Sequence, residues 1–549
     1  MKSLLAVILL IVIVYILPLN VRPMAMPDES RYAEIPREMI ESGDWVVPHL
    51  NGLRYFEKPV LGYWLTGVCI KLFGEHPFSV RLPSALATGL SALALLFFVR
   101  RTTGRDSSAF LAAVIFLTSI EVFALGTFAV LDAPLSLFIT LIMVFFFMAY
   151  SESSPMRQRV FLVLCGISCG AAFLIKGFLA FAVPCVSIVP FLLIERRFKD
   201  VFRLGFIPLI AAFLTALPWI VLIHIKEPDY WRYFFWVEHV QRFFAPGSRA
   251  QHSEPVWFFI PVILLGFIPW TFITPAAFKG LLNKNENTPF LRFILCWIIF
   301  PIILLSLSTG KLATYVLPSF PPMAIATSLG LISYFDRNAM PAFKKGAYVS
   351  AIFGIIIIGV LIFGQTVGFK AKNIFTSGEE YKLVLAIVAA CSWTVVSLIS
   401  AVARHRFASL TIYAAAPLVL LIIVPFVLPD RILHDKRYLP EDLIQRNIDK
   451  VQPDSNIFSD ADDTPAICWV LKRSDVTIMG GGGELAYGLK YEDSKHRLIS
   501  HDILSARIKK GITGKNILIE EEDDISEFLN SLSTPLFKDS ENAFIFAQF

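Results

Sequence analysis

The chain has 549 residues, of which 56% are hydrophobic and only 17% charged, with a mean hydropathy of +0.64; soluble chains carry about 25% charge, so most of this one belongs in lipid. A formal charge of +5, scattered along the sequence, excludes a nucleic-acid-binding footprint. Seven cysteines, mostly in apolar stretches and without CxxC or Cys/His spacing, imply neither a disulfide scaffold nor a zinc site.

An uncharged run over residues 3–20 follows Lys2. A signal peptide and a first span share this shape; the lack of a small-x-small cleavage site and the recurrence of apolar stretches downstream favour the span. Runs of about 20 apolar residues are needed to cross a bilayer. Thirteen are predicted, near 4–22, 79–99, 107–125, 133–150, 159–175, 178–194, 204–223, 256–277, 289–307, 312–333, 346–364, 382–402 and 407–428. Basic residues follow every even-numbered span: Arg100, Arg101 and Arg105; Arg157 and Arg159; Arg196, Arg197, Lys199 and Arg203; Lys279 and Lys284; Arg337, Lys344 and Lys345; Arg404 and Arg406. Short basic loops stay cytoplasmic, so the N-terminus is expected inside and residues 429–549 outside.

Two outer loops, 23–78 and 224–255, are too long to be plain connectors. Within them residues 30–42, residues 59–73 and the aromatic stretch EPDYWRYFFWVEHVQRFF are expected to form helices in the headgroup plane. Beyond residue 428 charged and turn residues dominate, and short β-like runs at 456–458, 476–479, 517–519 and 544–546 alternate with polar helical stretches. The expected organisation is a membrane domain over 1–428 and a small α/β domain over 429–549.

Asp28 and Glu29 open the first outer loop, just before Arg31. Two readings stand: an acidic helix N-terminus, or a carboxylate at a cavity mouth that orients a substrate. Lys58, beside Arg54 and Glu57, precedes an apolar stretch, where it either snorkels or meets a lipid phosphate. Glu238 and Arg242 have the spacing of a helix-surface ion pair; His239 adds a metal-ligand type, without a third ligand placed by sequence. Gly480–Gly483 lacks the strand, loop and helix order of a nucleotide site and reads as a turn.

The loop PDESRYAEIPREMIESGDWVVPHLNGLRYFEKP resembles the first outer loop of the 4-amino-4-deoxy-L-arabinose lipid A transferases, bacterial inner-membrane enzymes of the GT-C class. The likeness continues through GTFAVLD, Lys176-Gly177, YFFWVEHVQRF, STGKLATY and GELAYGL, and so covers nearly the whole chain. It implies a membrane all-α GT-C fold, with about 13 transmembrane helices, interfacial helices and a C-terminal periplasmic α/β domain. The implied reaction moves aminoarabinose from an undecaprenyl phosphate donor to lipid A phosphate at the periplasmic face, giving resistance to polymyxin and other cationic peptides.

The resemblance also implies roles for residues. Asp28 matches the active-site acid of GT-C enzymes, and Asp132 fits the slot of a second acid, with capping of the fourth span as its plain alternative. Lys58, with Arg242 and Tyr315, is expected to bind the carrier phosphate. Arg31 and Glu57 are further substrate-binding candidates, Lys176 and Lys311 are second-tier phosphate contacts, and Glu484 is expected at the sugar or acceptor. Inversion in one displacement is implied. No cofactor is expected to be required, a divalent metal stays open, and the protein is expected to be a monomer among membrane lipids. A protein O-mannosyltransferase-like enzyme and a lipid-linked sugar flippase are the alternatives; flippases and transporters place substrate near the midplane with buried charge, whereas the charges here gather outside.

Overall fold

A computed structural model describes residues 1–241, 253–283, 287–368, 373–433, 438–510 and 515–549 except 523, 524, 526, 527, 530, 531, 533 and 542, with the side chains at 239–241 and 510 also outside the description. The chain divides into two compact units. One comprises Met1–Val21 and Arg81–Leu428; the other joins Arg22–Val80 to Pro429–Phe549. The first long loop, expected to belong with the spans, therefore groups with the C-terminal region.

In the first unit all thirteen predicted stretches are helical, but they are not thirteen uninterrupted spans. Among the described residues, 10 helices are long and apolar enough to cross a membrane. Two expected spans are bent pairs: Asp106–Leu117 with Ile120–Gly126 at 65°, and Phe259–Gly266 with Trp270–Leu281 at 96°. Leu179–Ile194, at 16 residues, is about 24 Å long, against about 30 Å of hydrocarbon.

A break inside lipid frees backbone groups that need new partners. The two breaks supply them to each other: Ile120 N–H donates to the Ile268 carbonyl at 3.2 Å, and Trp270 Nε1 donates to Thr118 Oγ1 at 2.9 Å. Tyr15 donates to the Leu117 carbonyl at 2.5 Å and Tyr413 to the Pro269 carbonyl at 2.7 Å.

The loops expected on one side are tied together at one end of this unit. Arg292 Nε lies 2.5 Å from Glu195, the Arg197 guanidinium sits 4.4 Å from the Tyr150 ring centroid, Arg105 lies 3.1 Å from Asp336, and Arg406 donates to the Phe335 carbonyl at 2.7 Å.

The second unit is built on a six-stranded sheet. With β1 His49–Leu50, β2 Leu53–Arg54, β3 Asn456–Ser459, β4 Thr477–Met479, β5 Leu498–Ile499, β6 Asn516–Glu521, β7 Phe537–Glu541 and β8 Phe544–Gln548, its order is β5-β4-β3-β6-β8-β7. The first four of these strands are parallel, and β8 and β7 close the sheet antiparallel. Phe458, Met479, Ile499, Leu518 and Ile545 share one buried cluster. The four β-like runs of the sequence fall in β3, β4, β6 and β8.

Helix Asp28–Ser42 packs against helix Thr464–Leu471, and between Glu29 and Met39 all but Tyr32 are buried. It is thus a core helix, which corrects the expectation of a surface helix in the headgroup plane. Its buried charges are matched: the Arg37 guanidinium reaches Glu34 at 2.7 Å and Glu41 at 2.6 Å, and Glu38 accepts the Asn51 and Gly52 N–H groups at 2.5 and 2.9 Å. Those two residues form the β1–β2 turn with φ of 58° and 68°, the left-handed pair that Asn-Gly favours in a two-residue hairpin. The turn plugs into the C-terminal segment. Asn51 exchanges hydrogen bonds with the Val476 backbone at 2.8 and 2.9 Å, and Arg497 donates to the Asn51 side chain at 2.7 Å. A Cβ at Gly52 would lie 2.7 Å from the Ser474 carbonyl oxygen. Helix Leu61–Phe73, by contrast, exposes Leu65, Val68, Leu72 and Phe73, as an interfacial helix should.

Candidate active site

Within the second unit, five of the sequence candidates converge. Arg31 Nη1 lies 3.0 Å from Glu484 and 3.6 Å from Asp28. Tyr55 donates to Glu484 at 3.0 Å and approaches Glu57 at 3.3 Å. Lys58 Nζ donates to the Glu57 carbonyl at 3.1 Å and stands 3.8 Å from the Glu57 carboxylate. The helix that starts at Asp28 places Asp28 and Arg31 one turn apart on one face. Glu484 arrives on the short helical turn Gly483–Ala486 that follows β4. Tyr55 was not among the sequence candidates, although it stands in the same RYFEKP segment as Lys58.

Burial would lower the Arg31 guanidinium, but Tyr55, Glu484, Tyr32 and Asp28 together hold it well above its ordinary value. Arg31 is thus a fixed positive charge between the Glu484 and Asp28 carboxylates. Burial pushes the Tyr55 phenol well up as well, so it stays a hydrogen-bond donor at neutral pH. Asp28 is the open member of the group: its side chain is 53% exposed, against 10% for Arg31 and 14% for Lys58. Its neighbour Glu29 is fully buried, accepts the Ala25 N–H at 2.9 Å and pairs with Arg22 at 2.7 Å. Both acids stand in the first turn of the helix; Glu29 is sealed at its entrance, and Asp28 stays open to solvent.

The first unit holds a second group. Asp132 is the first residue of helix Asp132–Ser151 and Lys176 the last of the next helix, Pro155–Lys176; antiparallel packing brings them to the same end. Lys176 Nζ lies 2.7 Å from Asp132 Oδ1 and 4.7 Å from the centroid of the Tyr315 ring. Leu131 holds the cap position, so Asp132 is a first-turn residue and not the cap of its helix. Lys311 stands apart from this group, donating to the Glu254 and Ser308 carbonyls at 2.8 and 2.5 Å. Arg242 and the side chain of His239 lie outside the described residues.

Among the described residues, one set of three acids brings oxygens within 4.8 Å of one another: Asp460, Asp463 and Glu520, beyond β3 and at the end of β6. None of them was a sequence candidate.

Residues 1–234 match the family model of dolichyl-phosphate-mannose-protein mannosyltransferases, and residues 435–548 that of the C-terminal domain of the arabinosyl transferase ArnT. The fold is that of ArnT from Cupriavidus metallidurans, in a crystal structure with bound undecaprenyl phosphate: TM-score 0.84 at 23% identity, covering 99% of this chain and 97% of that one. The GT-C fold implied by the resemblance is the one observed. Two relatives, from Aeromonas salmonicida and Shewanella sediminis, are each named undecaprenyl phosphate-alpha-4-amino-4-deoxy-L-arabinose arabinosyl transferase. The first is 38% identical over 489 residues, 88% of both chains; the second is 38% identical over 517 residues, 94% of this chain and 93% of its own. With that identity sustained along almost its entire length, the chain belongs to the undecaprenyl phosphate-aminoarabinose arabinosyl transferases.

Proposed function

We propose that this chain transfers 4-amino-4-deoxy-L-arabinose from undecaprenyl phosphate to phosphate groups of lipid A, with its chemistry and its C-terminal region on the periplasmic side of the inner membrane. The observation that carries this reading is the convergence of Asp28, Arg31, Lys58 and Glu484 in a protein whose relatives bear that name. Open carboxylates suit the ammonium group of an aminosugar, and a lysine suits a lipid phosphate.

In the transfer, the bond from the sugar's anomeric carbon to the carrier phosphate oxygen breaks, and its electron pair leaves with that phosphate. A bond from the same carbon to an acceptor phosphate oxygen forms on the opposite face, with inversion. The acceptor oxygen is ionised at neutral pH, so positioning and cationic stabilisation of the leaving phosphate replace strong base catalysis. Lys58, together with Arg242, supplies that stabilisation; Asp28 orients the aminosugar; Arg31 and Tyr55 fix Glu484 for contact with sugar or acceptor. Lys176, 2.7 Å from Asp132, holds that carboxylate in place. Each aminoarabinose added puts a positive charge on a phosphate that cationic peptides otherwise bind, hence the protection.

Mass spectrometry of lipid A from cells with and without the protein tests the reading: one aminopentose gained per modified phosphate is expected. The match of residues 1–234 to protein mannosyltransferases favours a second reading, with a protein acceptor. Unmodified lipid A together with a glycosylated protein, in cells supplied with the donor, would select it.

A further inference from the structure

Three helices of the first unit, Pro77–Thr103, Asp132–Ser151 and Pro155–Lys176, enclose a groove of about 580 Å³, inside the range of ~300–1,000 Å³ typical of ligand sites. Its walls are apolar, with Phe97, Leu141, Phe145, Met148 and Phe161 among them, and among the described residues its charged lining consists of Arg100 and Arg101. Phe97 is 53% exposed, so the groove opens on the lipid-facing surface. Arg101 makes no ion pair among the described residues, though its charge reaches the exposed Glu152 carboxylate, and Arg100 makes only a long one, 3.5 Å to Asp106, with both of those side chains about half exposed. Two guanidiniums at the head of an apolar trough complement one anion carrying a hydrocarbon tail.

The depth of the groove decides which lipid. Met148 lies sixteen residues along its helix from Asp132, about 24 Å, and Phe161 lies near the start of the helix that ends at Lys176. The arginines thus mark the end of the bundle opposite the Asp132–Lys176 pair, the end where the basic loops are tied together. A carrier whose phosphate reacts beside Asp132 has its headgroup in the other leaflet. The geometry points to a bound anionic glycerophospholipid of the basic-loop leaflet, its phosphate between Arg100 and Arg101 and an acyl chain along Phe97, Phe145 and Phe161. The choice of a glycerophospholipid over the carrier rests on the proposed transfer site beside Asp132, whereas the groove and its two arginines are tested by binding alone, without any transfer.

Delipidated full-length protein, titrated in native mass spectrometry with phosphatidylglycerol, phosphatidylcholine of the same chains, or undecaprenyl phosphate, tests the site. Phosphatidylglycerol should bind first and more tightly than phosphatidylcholine. The R100Q/R101Q variant should weaken it by about tenfold or more, and Ala94→Phe, which fills the groove without touching charge, should weaken it too. The K344Q/K345Q variant, which removes two cations elsewhere, should not. Equal binding of the two phospholipids, an equal loss in K344Q/K345Q, tighter undecaprenyl phosphate binding that R100Q/R101Q abolishes, or a dimer that Ala94→Phe dissociates would each overturn the assignment.

Discussion

Asp28 and Glu29 are adjacent and chemically alike, yet their surroundings separate them. Glu29 is sealed in with Arg22 and a backbone amide, whereas Asp28 is half exposed beside a buried arginine. Asp28→Asn keeps the shape and removes the charge, so the protein should stay folded and inserted while lipid A modification falls by about two orders of magnitude. Wild-type levels of modified lipid A from an equal amount of inserted variant would remove Asp28 from the chemistry. The site was legible only in part. Asp28, Arg31, Glu57 and Lys58 are close in sequence, and their grouping follows from one helix and one hairpin. Glu484 is 429 residues from Tyr55, and only the family segment GELAYGL pointed to it. The Asp132–Lys176 pair went unforeseen, although two successive antiparallel helices must bring the start of one beside the end of the next.

At the scale of elements, hydropathy found where the chain is apolar but not where it bends. The stretches 107–125 and 256–277 read as continuous because a break costs no hydrophobicity; Thr118-Ser119 and Pro269 were the available signals. What makes the breaks tolerable is the set of donors aimed at their carbonyls. Tyr15→Phe leaves the buried Leu117 carbonyl without its 2.5 Å donor and should cost about 1–3 kcal/mol, seen as a lower thermal midpoint in detergent. Tyr348→Phe, at an exposed ring, should leave that midpoint unchanged. An equal midpoint in both variants would show that the bend is held by packing alone. The helix Asp28–Ser42 misled for a related reason: its mixed faces looked interfacial, because sequence does not reveal that Glu34, Arg37 and Glu38 each find a partner inside.

For the whole molecule, the positive-inside reading makes a directional claim that the gathered basic loops support without orienting. A reporter fused after Pro429 should be active only as a periplasmic enzyme. Activity of a cytoplasmic reporter there would invert the assignment and put the lipid-phosphate chemistry on the wrong side. The membrane architecture was legible because composition alone dictates it; the division into units was not, since it depends on contacts between the two ends of the chain. The unit that joins Arg22–Val80 to Pro429–Phe549 has a consequence in time. Its first piece leaves the ribosome some 350 residues before its second, a delay on the order of tens of seconds at roughly 5–20 residues per second. Through that interval the hairpin turn at Asn51 and the charges of the 28–42 helix have no Val476, Arg497 or Thr464–Leu471 helix to meet. Assembly of this unit therefore waits for residues 429–549, and a chain cut short at any span carries an unfinished 22–80 segment open to proteases.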